Sequence, residues 1–133
     1  MSVVYYQTDR DDLLVSTMRA RAKARAALRD RQVSLCVLDE QWPLSYVLLS
    51  CTVVVQDEFE RTVDAMMRVR ELMADMPMPE DIRPVVEESA RREDRVLLRL
   101  QPYQSFATPP RHVYKPQDNV GLTHDLGQAL PWA

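Results

Sequence analysis

The stretch that decides the fold is residues 12–39, DLLVSTMRARAKARAALRDRQVSLCVLD. It opens with an aliphatic and β-branched run at 12–17 and then changes to Ala, Arg, Lys and Leu over 18–30, with no Gly or Pro. The second composition predicts a helix, and the apolar run at 33–39 predicts a strand after it. The stretch is therefore predicted to fold as strand, helix and strand.

Further strands are predicted on both sides of this stretch. SVVYY at 2–6 is separated from the 12–17 strand by the polar residues 7–11, which suit a hairpin, and a long β-forming run covers 44–56. Most connections in this β, β, α, β, β order are too short for parallel crossovers. The prediction is a mainly β (α+β) fold with an antiparallel sheet or barrel of five or six strands.

The second half of the chain adds helices. Apolar residues recur at helical spacing over 58–74, and a second helix is predicted from about residue 80 to 92, with Pro84 in its first turn. VLLRL at 96–100 then returns to a strand. These two helices are expected to flank the sheet.

The predicted domain covers residues 1–101, and residues 102–133 are predicted to be an extended C-terminal tail. The tail contains five of the nine prolines and both glycines. No apolar run approaches the ~18 residues that a membrane span needs, and the N-terminus does not look like a signal peptide. Cys36 and Cys51 lie in β-like runs, as small buried residues do in a reducing compartment. A cytoplasmic protein without membrane contact is expected.

Charge is distributed unevenly along the chain. The net charge is −3, yet residues 18–31 carry six basic side chains and one acid. A local cationic patch on an acidic chain favours a small bound anion over a long nucleic acid. With only two glycines, neither a P-loop nor a dinucleotide-binding glycine motif is present, and the two histidines are not at metal-ligand spacing.

The best candidate site is the junction of the 12–17 strand with the 18–30 helix. Ser16 and Thr17 offer hydroxyl donors there, and Arg19 and Lys23 lie one turn apart on one helical face. Backbone N–H groups at a helix start also favour anions. The residues alone leave two interpretations open, a phosphate or carboxylate site and a solvated basic helix.

The chain contains, in order, LLVST, RAKARAALRDRQVSLCVLD, a Trp-containing turn and RREDRVLLRL at 91–100. This order resembles the pyridoxamine 5′-phosphate oxidase-like family. It is similar in particular to the flavin- and deazaflavin-dependent branch, and the likeness covers residues 2–101. The resemblance implies an antiparallel split β-barrel of the FMN-binding type with flanking helices. It also implies hydride transfer to or from a small organic substrate on a bound cofactor.

The resemblance implies a set of cofactor-binding residues. Ser16 or Thr17 and Lys23 match positions that hold the cofactor phosphate, with Arg19 close by, and Trp42 matches an aromatic residue that packs near the cofactor across a dimer interface. The implied cofactor is FMN or an 8-hydroxy-5-deazaflavin coenzyme, and the implied assembly is a homodimer. No catalytic residue is assigned.

One departure from the family supports an alternative. Family members carry further strands before the SVVYY-like strand, so the chain is expected to be truncated at its N-terminus relative to them. Those strands contribute to the cofactor site. The alternative is therefore a degenerate split-barrel protein that has lost its cofactor and serves as a binding or structural subunit.

Overall fold

The computed structural model describes residues 1–41, 45–107 and 128–132. The strands are β1 (Gln7–Asp9), β2 (Asp12–Met18), β3 (Gln32–Leu38), β4 (Tyr46–Gln56), β5 (Arg95–Ala107) and β6 (Gln128–Pro131). The α-helices are α1 (Ala22–Asp30), α2 (Phe59–Ala74) and α3 (Arg83–Arg92).

The strands form one sheet in the order β1-β2-β5-β4-β3, with β6 paired to β5. The pairings of β1 with β2, β2 with β5 and β5 with β6 are antiparallel. The predicted α+β class, with a six-stranded antiparallel sheet and flanking helices, is confirmed. The sheet does not close into a barrel among the described residues.

The chain divides into two compact units, residues 1–33 with 52–101 and residues 34–51 with 102–133. The predicted division at residue 101 stays a prediction, since residues 108–127 of the tail lie outside the described residues. Among the described residues, no helix combines the length and apolar character that a membrane span requires.

The first hairpin lies later in the chain than predicted. Its first strand is Gln7–Asp9 rather than 2–6, and its ladder with β2 begins at the pair Gln7 and Leu14. Residues 2–6 are β-formers by composition, but they do not pair with β2. Val3, Val4 and Tyr5 line a cleft described below instead.

The helix predicted over 18–30 begins at Ala22, so Thr17 does not lie at its start. The reason is pairing in the sheet. Thr17 lies opposite Val96 and Met18 opposite Arg95, so both stay in the β2–β5 ladder instead of starting a helix. Residues 19–21 then separate the end of β2 from the start of α1.

β5 is longer than the predicted 96–100 strand. It runs to Ala107, and its last four residues pair with β6. Pro102 lacks a backbone N–H, but a strand continues past a proline where no ladder bond needs that donor. Pairing beyond the proline explains the difference.

The β2–β5 pair has two chemically different faces, because side chains alternate along a strand. One face carries Leu14, Ser16, Arg95 and Leu97, and Leu14 and Leu97 pack there against Ala65 of α2. We call it the α2 face. The opposite face carries the buried residues Leu13, Val15, Thr17, Val96, Leu98 and Leu100.

The predicted helix pair is confirmed. α2 covers Phe59–Ala74, and α3 follows a short 3-10 turn, with Pro84 tolerated in its first turn as expected. The two helices pack through one buried cluster of Val63, Met66, Met67, Val86 and Ala90. α2 is thus packed on α3 through this cluster and on the α2 face through Ala65.

The burial of β4 bears on the homodimer that the resemblance implies, because a strand apolar on both faces would need a cover on each. In the structure Leu49, Cys51 and Val53 are buried, whereas Leu48 and Val54 on the alternate positions are exposed. The homodimer stays a prediction.

Arg99 ties the first hairpin to β5 through two carboxylates. Its guanidinium donates one hydrogen bond to Asp9 and a second one from Nη1 to Asp12 Oδ2, over a distance of 2.9 Å. The hydrogen bond from Arg99 lowers the pKa of Asp9 below its ordinary value of 3.8, against an opposing effect of burial.

This pair predicts how stability depends on pH. A carboxyl group with a lowered pKa in the folded state stabilises the fold above its unfolded pKa, and that contribution is lost as the pH falls through the folded pKa. We expect Asp9→Asn to be less stable than the wild type at neutral pH, with a difference that shrinks as the pH drops below 3.8. Urea unfolding at several pH values measures this, and a constant difference would contradict it.

Candidate functional site

An open cleft of about 400 Å³ lies in the first compact unit. Its apolar wall is formed by Val3, Val4, Tyr5, Met66, Val69 and Met73. Its polar lining consists of Ser16, Lys23, Arg70 and Arg95. Three of these four polar residues are cationic, and none of the described residues that line the cleft is acidic. The cleft therefore suits a ligand with an apolar body and an anionic group.

Secondary structure brings the polar residues together from distant parts of the sequence. Ser16 and Arg95 share the α2 face, on neighbouring cross-strand pairs of the β2–β5 ladder. Lys23 lies in the first turn of α1, which follows β2 after three residues. Arg70 comes from α2. A strand end, a helix start and a second helix thus meet at one cleft.

The Ser16 hydroxyl is buried and makes no hydrogen bond within the described part of the chain. A buried polar group without a partner costs roughly 1–3 kcal/mol. Ser16 lines the cleft, but its hydroxyl oxygen is itself buried. The Thr17 hydroxyl and the Gln7 side-chain oxygen are in the same state, and neither residue lines the cleft, so the hydroxyl alone does not mark a ligand site.

Lys23 lies in a strongly positive environment. Partial burial lowers the pKa of its ammonium group, and the nearby Arg21 and Arg95 lower it further by repulsion. The Lys23 Nζ atom has a single weak contact, 3.5 Å from Ser2 Oγ, and no carboxylate partner among the described residues. A bound anion would relieve this repulsion.

Arg95, unlike the cleft residues Lys23 and Arg70, has a carboxylate partner among the residues that the structure describes. Its Nε lies 2.6 Å from Glu93 Oε2, and this hydrogen bond lowers the pKa of Glu93. The ion pair keeps Glu93 ionised and orients the guanidinium, so Arg95 keeps further N–H donors for a ligand.

The structure separates the residues that the sequence proposed as one site. Ser16 and Lys23 line the cleft. Thr17 is buried on the opposite face of the β2–β5 pair, and its hydroxyl also makes no hydrogen bond in the described part of the chain. Arg19 is held in ion pairs with Asp57 and Asp94. Trp42 lies outside the described residues.

The prediction from sequence missed Arg70 and Arg95. A signal for each was present. In RVLLRL, Arg95 stands two residues before Leu97, and residues two apart on a strand share one face. Arg70 interrupts the stripe of Met66 and Met73 at helical spacing, which places a cation on the face that α2 turns toward the cleft.

Comparison with known proteins gives a likeness of fold. No family model matches the chain, and no curated protein matches it. A solved structure described as "F420 Reductase" matches with a TM-score of 0.55 and 19% identity, over 77% of this chain and 74% of that one. Conserved hypothetical protein Rv2991 from Mycobacterium tuberculosis matches with a TM-score of 0.64 and 18% identity, over 86% of this chain and 75% of that one. At such identities the likeness shows the fold.

Proposed function

We propose that the chain binds a flavin-type cofactor, FMN or an 8-hydroxy-5-deazaflavin coenzyme, and acts as an oxidoreductase on a small organic substrate. The observation that carries this proposal is the cleft that combines an apolar wall with Lys23 and Arg70, two cations without a carboxylate partner among the described residues. The fold likeness to a protein described as an F420 reductase supports the same chemistry.

The cleft residues fit the two parts of such a cofactor. A phosphate group would accept hydrogen bonds from the Ser16 hydroxyl, the Lys23 ammonium and the Arg95 guanidinium, and charge-assisted bonds are the stronger kind. The flat ring system would pack on the apolar side chains of Met66, Val69 and Met73. The cleft thus offers one kind of side chain for each part of a phosphorylated ring compound.

The chemistry itself would come from the cofactor, since a bound flavin or deazaflavin supplies or accepts a hydride. The protein would bind the phosphate, orient the ring and shield part of it from water. None of these three roles needs a nucleophilic side chain.

The proposal is tested by titrating the protein with FMN, the deazaflavin coenzyme and riboflavin, and following absorbance and fluorescence. Each charge-assisted hydrogen bond is worth ~1.5–3 kcal/mol, so FMN should bind at least about tenfold more tightly than riboflavin, which lacks the phosphate. If none of the three binds, the proposal fails and the cofactor-free subunit becomes the better interpretation. Equal affinity for FMN and riboflavin would contradict the phosphate site.

A further inference from the structure

Arg70 differs from the other arginines of α2. Arg61 pairs with Glu58 and Arg68 pairs with Glu71, each at 3.0 Å. Arg70 makes no ion pair within the described residues, and it is the arginine of α2 that lines the cleft. Its neighbours along the same helical stripe, Met66 and Met73, offer no carboxylate.

The charges facing the cleft can be counted element by element. The N-terminal segment contributes the neutral Tyr5, β2 the neutral Ser16, α1 Lys23 and α2 Arg70. β5 contributes Arg95, which Glu93 balances. Among the described residues, the two positive charges of Lys23 and Arg70 therefore have no carboxylate partner, in a chain whose net charge is −3.

We propose that the cleft selects a ligand whose anionic group carries two negative charges, a phosphomonoester, and that Arg70 sets this preference. The inference rests on the proposed function and deepens it. A phosphomonoester carries nearly two charges above its second pKa of ~6 and presents three acceptor oxygens. A diester or a sulfate ester carries one charge and leaves one of the two cations uncompensated. FMN, a monoester, is thereby favoured over a cofactor whose phosphate is a diester.

The test compares FMN with riboflavin 5′-sulfate, which has nearly the same shape and one negative charge fewer. At pH 7.5 the wild type is expected to bind FMN about tenfold or more tightly than the sulfate ester, the effect of one charge-assisted contact. In Arg70→Gln this ratio should fall to within about threefold, mainly through weaker FMN binding. Arg70 is exposed, so its replacement should leave unfolding unchanged.

Arg68→Gln is the matched control, because it removes a cation two residues away on α2 that already pairs with Glu71. It should keep the wild-type ratio. The inference is overturned if the wild type binds both esters equally, or if Arg70→Gln and Arg68→Gln give the same ratio. Failure of FMN, the sulfate ester and riboflavin alike to bind would instead overturn the proposed function, and this inference with it.

Discussion

Replacing Lys23 by alanine is expected to weaken binding of FMN or the deazaflavin coenzyme by about tenfold or more, because at least one charge-assisted hydrogen bond of ~1.5–3 kcal/mol is lost. Lys23 lines the cleft, has no carboxylate partner among the described residues and lies near Arg95. No existing ion pair has to be broken before it binds an anion. Fluorescence titration of wild type and variant measures the effect.

Arg29→Ala is the matched control for this experiment. Arg29 is a cation on the same helix, in its last turn, where it is exposed and pairs with Asp30 at 3.2 Å. It does not line the cleft, and the helix dipole at that end does not favour an anion. Arg29→Ala should therefore bind as the wild type does. Wild-type affinity in Lys23→Ala would place the phosphate elsewhere.

Replacing Leu97 by alanine is expected to lower the free energy of unfolding by about 2–5 kcal/mol, the usual cost of removing a buried leucine side chain. Leu97 is fully buried and packs with Leu14 and Ala65, so its removal leaves a cavity between β5 and α2. Urea or thermal unfolding followed by circular dichroism measures the loss.

Leu72→Ala makes the same chemical change at an exposed position of α2, where 44% of the residue is accessible. Its cost should be below about 1 kcal/mol, since much of the apolar surface of Leu72 is already in water, unlike that of Leu97. Similar losses in Leu97→Ala and Leu72→Ala would contradict the packing of α2 on the α2 face.

Periodicity and composition predicted most of the helices and strands in their order along the chain. The helices at 59–74 and 83–92 follow from apolar spacing and from proline placement, which are local signals. The end of β2 could not be predicted in this way. Whether residues 17 and 18 continue a strand or start a helix depends on pairing with Val96 and Arg95, nearly 80 residues later.

Only part of the candidate site could be predicted, because local signals do not show which distant residues pack together. Ser16 and Lys23 are close in sequence, so the predicted strand-to-helix junction already includes both. Thr17 could not be separated from Ser16 without knowing which face of β2 meets α2. Arg70 and Arg95 reach the cleft only through the packing of α2 and the register of β5, which are tertiary features.

The location of the phosphate is tested most directly by a ¹H–¹⁵N NMR titration of the full chain with FMN, with riboflavin added in a parallel experiment. Shifts that FMN causes and riboflavin does not should be concentrated at Ser16, Lys23, Arg70 and Arg95, including the arginine Nε–H signals. Phosphate-dependent shifts that leave these residues unchanged and appear instead on Thr17, Arg19 or α3 would contradict the account.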